Sequence, residues 1–113
     1  MNMREGVLLR IFIGESDKHK GKPLYMYILE MLRKEGIAGA TVLRGIAGYG
    51  KTSVIHTTSI LRLSSDLPIV IEIVDSQDKI EKVKPKLLEI VKESLITEEK
   101  VKIIFYEGDE NKS

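Results

Sequence analysis

Gly45-Ile-Ala-Gly-Tyr-Gly-Lys-Thr52 admits two readings, and the choice between them decides the fold. Letter for letter it matches G-x-x-x-x-G-K-[ST], the loop that cradles nucleotide phosphates ahead of a helix. That loop needs a helix directly after its Lys-Thr, so that the phosphates sit on the helix N-terminus. Here the following residues are Ser53-Val-Ile-His-Thr-Thr-Ser59, polar and β-branched, a poor helix former. The doubly wound parallel sheet of such enzymes also needs more chain than 113 residues. The alternative is a glycine-rich turn that ends one strand and opens a long loop.

Outward from this stretch, the chain reads as two β-α-β units. Before it, Val7 to Ile13 is a β-rich run stopped by Gly14, followed by a polar loop, Glu15 to Lys22. Pro23 suits the first position of a helix, and Leu24, Ile28, Met31 and Leu32 recur at helical spacing up to Gly36. Ala40 to Ala47 is the second strand. After the stretch, Lys51 to Asp66 has no clean period; the expected loop runs from about residue 50 to 66, with a helical turn through Ile60 to Leu63. Leu67 to Val74 is the third strand. Asp75 or Ser76 caps a second helix carrying Ile80, Val83, Leu87, Ile90 and Val91, with Pro85 predicted to kink it. Val101 to Tyr106 is read as the last strand and 107–113 as a frayed tail.

The pattern predicts an α+β, ferredoxin-like β-α-β-β-α-β sandwich: one domain with a core of about residues 5–106, a four-stranded antiparallel sheet and both helices on one face. Alternation places Val7, Leu9, Ile11 and Ile13 on one side of the first strand and Leu8, Arg10 and Phe12 on the other. In the third strand Ile69, Ile71 and Ile73 oppose Val70, Glu72 and Val74; in the last, Val101, Ile103 and Phe105 oppose Lys102, Ile104 and Tyr106. The second face is too apolar for water alone, which predicts that copies of the chain bury it between them.

Composition narrows the function. The absence of cysteine excludes disulfides, thiolate metal sites and a cysteine nucleophile. His19 and His56 are not spaced to share a metal, so no metal site is expected. A net charge of +1 gives no bulk attraction to nucleic acid. Apolar runs are far shorter than a membrane span and the N-terminus carries no secretion signal, so the expected location is cytoplasmic. Charged residues at 31%, with one Gln and two Asn, suggest a thermophilic source. No nucleophile–base pair is present, so no catalytic residue is assigned and an enzyme is not expected.

The turn Gly48-Tyr49-Gly50-Lys51, placed between two β-α-β units, resembles the PII signalling proteins. Gly39-Ala-Thr-Val-Leu-Arg-Gly45, Ser53-Val-Ile-His-Thr57 and Leu61-Arg-Leu63 resemble the PII-like group of small bacterial and archaeal proteins in particular, and the likeness runs from about Met3 to Tyr106. The resemblance implies a non-enzymatic homotrimer that binds an adenine nucleotide (ADP, AMP or ATP) in clefts between subunits and signals to a protein partner through its long loop. It implies that Gly48, Tyr49, Gly50 and Lys51 face the phosphates and that Thr41 lies near the base; where PII proteins carry a late pair of arginines this chain has Lys102-Ile-Ile-Phe-Tyr106, and Lys18, Lys20, Lys22, Arg44 and Arg62 are the candidates to replace those cations. No cofactor is required. Asp75-Ser-Gln-Asp78, acidic and without glycine, offers no second phosphate-binding turn, which favours ADP or AMP over ATP. The alternatives are a P-loop-like nucleotide hydrolase and a trimeric interaction protein that binds no nucleotide.

Overall fold

A computed structural model describes residues 4–50, 55–57, 66–92 and 94–107. In chain order its elements are β1 (Arg4–Gly14), β2 (Lys18–His19), β3 (Lys22–Pro23), α1 (Leu24–Lys34), β4 (Ala40–Arg44), β5 (Ala47–Gly48), β6 (His56–Thr57), β7 (Pro68–Asp75), α2 (Gln77–Ile90) and β8 (Leu95–Ile103). The main sheet has the order β4-β7-β1-β8, antiparallel at every pairing. Each helix therefore carries the chain over one intervening strand, which is the ferredoxin-like topology read from the sequence.

Alternation in β1 and β7 builds the core. Val7, Leu9, Ile11 and Ile13 and, opposite them, Ile69, Ile71 and Ile73 are buried beneath Leu24, Ile28 and Leu32 of α1 and Ile80, Val83 and Leu87 of α2. Both helices thus cover the same face. Register makes this coherent: Ile11 pairs with Ile71 and Leu9 with Ile73, so aliphatic side chains meet across the strands.

The helix ends follow local chemistry. Gly36 adopts φ 84, and the Gly36 and Ile37 amides donate to the Arg33 and Leu32 carbonyls at 3.2 and 3.1 Å. This is a Schellman stop, closed by the buried pair Leu32 and Ile37. Ser76 is the N-cap of α2, its hydroxyl accepting from the Lys79 amide at 3.4 Å. Pro23 is the cap of α1 and the last residue of β3, one position outside the helix expected to include it. Pro85 lies within α2, which continues through it to Ile90.

Three expectations are corrected. The polar loop after β1 contains a hairpin, β2–β3, with Lys20 and Gly21 at φ 51 and 80 in its turn. The second strand ends at Arg44, three residues early, and resumes as β5 after a break. The last strand runs Leu95–Ile103, not Val101 to Tyr106, and its described ladder with β1 spans Phe12↔Leu95 to Arg4↔Ile103. Its faces are reversed as well: Val101 pairs with Gly6 and Ile103 with Arg4, putting both on the face of Leu8, Arg10 and Phe12. The expected helical turn through 60–63 lies outside the described residues.

Candidate functional site

Among the described residues β4 is an edge strand, paired through β7, and the glycine-rich segment continues from its end. The Gly45 amide donates to the Pro68 carbonyl at 2.7 Å. β5 then pairs with β6, Ala47 to Thr57 and Gly48 to His56, so the segment rises from the sheet as a short ribbon. β6 starts at His56, four residues after Thr52. Among the described residues no helix follows the Lys-Thr pair before β7, and the sheet is antiparallel, so the geometry is not that of a P-loop.

The three glycines described in this segment differ in what fixes them. A Cβ on Gly45 would meet the Pro68 ring at 2.7 Å, and one on Gly48 would meet it at 3.1 Å. These two are held by packing against Pro68. Among the described residues Gly50 has no atom within 4 Å of such a Cβ, and its φ is not in the left-handed region, so neither the described packing nor the backbone conformation asks for glycine there. Tyr49 between them is 71% exposed. A glycine without a packing or conformational reason, beside an exposed aromatic, leaves room for a ligand to reach the main chain.

The remaining site residues are not brought to one point. Thr41 pairs with Glu72 and lies on the open face, while Arg44 pairs with Ile69 and lies on the helix-covered side. The Arg44 guanidinium is held by Glu15 at 3.0 Å, a solvent-exposed ion pair. Lys51 lies outside the described residues. Asp75 to Asp78, weighed as a place for a second phosphate turn, sits at the opposite end of the sheet: Asp75 pairs with Val7, whereas Gly45 is bonded to Pro68, which pairs with Gly14. The Asp75 carboxylate is buried and accepts from the Ala38 and Ser76 amides at 2.9 and 2.7 Å, a structural tie between the α1–β4 turn and α2. The segment before β8 lies at the glycine ribbon's end of the sheet, and Lys92 there is a cation that the sequence reading passed over. Only topology could reveal it, since about 40 residues separate it from the ribbon.

The open face matches its expectation more closely. Leu8, Phe12 and Val70 are half-buried, and Leu43, Val74 and Leu95 are exposed at 49, 40 and 56%. At its centre Arg10 bonds Glu72 at 2.9 Å and Glu99 at 2.8 Å. The two carboxylates, Glu72 foremost, raise the guanidinium further above its ordinary value. Elsewhere, His19 stacks edge-on against Tyr27 at 4.4 Å rather than standing free in a loop.

Comparison with known proteins places this architecture. The family model DUF190 (Uncharacterized ACR, COG1993) matches residues 6–103. A UPF0166 protein of Aquifex aeolicus is 46% identical over 101 residues, spanning 87% of this chain and 92% of that one. Among solved structures, a PII-like signalling protein of Thermus thermophilus superposes with a TM-score of 0.65 at 18% identity, covering 92% of this chain and 94% of its own. CPII, a nitrogen regulatory PII-like protein of Thiomonas intermedia bound to ADP, AMP and bicarbonate, superposes with a TM-score of 0.67 at 10% identity, covering 91 and 99%. With a family model matched along nearly the whole chain and a relative at this identity, the protein belongs to the DUF190 (UPF0166) family, built on the fold of PII-like proteins.

Proposed function

We propose that this protein is a trimeric PII-like sensor that binds ADP or AMP between subunits and acts on a protein partner through the segment 50–66. The observation that carries the reading is the ribbon at the end of the edge strand β4, where no described atom packs against Gly50 and Tyr49 stands exposed. Successive main-chain N–H groups at such a turn suit phosphate oxygens, and Lys51 adds a positive charge. Thr41 lies on the open face, which a trimer of this kind buries, so the base would rest against a neighbouring copy. Arg44 can turn to the phosphates at small cost, since an exposed pair such as that with Glu15 contributes at most about 1 kcal/mol. A single glycine turn, with no second one to share the phosphates, favours ADP and AMP over ATP. CPII, with the same fold, binds ADP and AMP.

A second reading, a trimeric interaction protein without nucleotide, draws support from Gly45 and Gly48, whose packing on Pro68 accounts for them without a ligand. Isothermal titration with ATP, ADP, AMP and cyclic AMP separates the two. ADP or AMP should give saturable heat, weakened at least tenfold by Gly50→Val with no change in thermal midpoint. No turnover of ATP with magnesium is expected. Absence of heat up to millimolar ligand would leave the second reading.

A further inference from the structure

The described end of the chain is apolar and exposed. Ile104, Phe105 and Tyr106 leave the sheet after β8 at 55, 60 and 45% exposure, three consecutive large side chains that the monomer does not cover. On the opposite edge of the sheet, between α1 and the start of β4, lies a groove of about 430 Å³. Met26, Leu29, Ile37 and Ala40 line it, with Glu30 and Arg33 as its polar members.

The positions of the two features are related. β8 and β4 are the two edges of the order β4-β7-β1-β8. The segment after Ile103 and the groove's 37–40 stretch nonetheless lie at the same end, since Ile103 pairs with Arg4, Val7 with Asp75 and Ala40 with Ile73. A protruding segment on one edge and a receiving groove on the other, both at one end, generate a head-to-tail contact. Such a contact closes into a ring when the rotation axis runs along the strands. The open face carrying Leu8, Phe12 and Val70 then turns inward to the axis.

We infer that Ile104-Phe105-Tyr106 of one copy docks in the α1–β4 groove of the next, so that a second copy of this chain is the groove's occupant. The inference rests on the trimeric reading above. Chemistry agrees at both parts of the contact: the segment and the groove walls are apolar, and Glu107, the residue after Tyr106, finds a positive counterpart in Arg33 at the rim. The contact would also cover three apolar residues that lie beyond the last described ladder pair, Arg4↔Ile103, and are exposed. It would put a neighbour's aromatic side chains beside Gly39 and Ala40, just ahead of Thr41, making each cleft a product of two copies.

The lack of cysteine makes the test direct. A Met26→Cys/Phe105→Cys double variant, treated with a short bismaleimide, should give linked dimers and trimers on a denaturing gel, and either single variant should give neither. Light scattering on the untreated protein reports the assembly independently. In addition, Phe105→Ser should raise the dissociation constant of the assembly about tenfold or more, with circular dichroism unchanged because the side chain is exposed in the monomer. A trimeric mass without crosslinks, or crosslinking by Phe105→Cys alone, would overturn the docking while leaving the trimer. A mass near 12.8 kDa would overturn both.

Discussion

The two faces of the sheet are made by the same strands and have opposite chemistry. In β1, Leu9 and Ile11 are within 1% of complete burial under the helices. Their immediate neighbours Leu8, Arg10 and Phe12 face the other way, where none of the described helices lies. Along Val7 to Ile13 of β1 and Ile69 to Ile73 of β7 the covered face is aliphatic and is completed within the monomer, with Arg44 and Glu98 on the flanking edge strands. The other is apolar at its margins and ionic at its centre, with one guanidinium between two carboxylates. A uniformly apolar face maximises burial but fixes no orientation; an ion cluster within an apolar face penalises any docking that leaves a charge unpaired. The comparison teaches that the covered face determines folding, while in the proposed trimer the open face would select how copies meet.

The comparison breaks most sharply under substitution of the covered face. Ile71→Ala, at a fully buried position between Ile11 and Val42, should cost about 2–5 kcal/mol of unfolding free energy in a denaturant titration. A cost below about 1 kcal/mol would mean that this face is not the folding core.

On the open face the expectation is reversed. Arg10→Gln should leave the monomer's unfolding midpoint nearly unchanged, because the ion pairs are partly solvated. The same variant should shift self-association at least tenfold in sedimentation equilibrium, since Glu72 and Glu99 would be buried without their cation. Equal effects on folding and assembly would erase the distinction between the faces.

The smallest effect lies at the rim of the covered face. There Lys84 is bonded by Glu81 and Glu98, and its ammonium is raised by Glu81 first and Glu98 second. The Glu81 carboxyl is lowered chiefly by Lys84, with Gln77 adding to it. A depressed carboxylate adds stability above its unfolded pKa and loses it as pH falls through the lower folded value; a raised ammonium adds stability below its unfolded pKa and loses it as pH rises through the higher folded value. Thermal midpoints of wild type and Lys84→Met should therefore differ most between these two ranges and converge in acid. A difference that persists below the carboxylate range would assign the effect to packing of the lysine stem.

Much of this was legible in the chain. Strict alternation in Val7 to Ile13 and in Leu67 to Val74 determined which side chains are buried, because a strand projects successive residues to opposite faces and only one face meets helices. Gly36 and Ser76 determined where α1 stops and α2 starts, through conformational freedom and a side-chain acceptor that act locally. The edge strand β8 was not legible. Its middle, Thr97 to Lys100, is charged because its helix-side positions meet the polar rim of α2, where Glu98 bonds Lys84, so no apolar period marks it. Ile104 to Tyr106 looked more strand-like but lies beyond the strand, whose described ladder with β1 reaches Ile103. Tertiary structure alone decided that Asp75 to Asp78 and the glycine ribbon lie at opposite ends of the sheet, and that Thr41 and Arg44 stand on different sides of it. Those are consequences of strand order and register, which join residues far apart in sequence and which no local preference encodes.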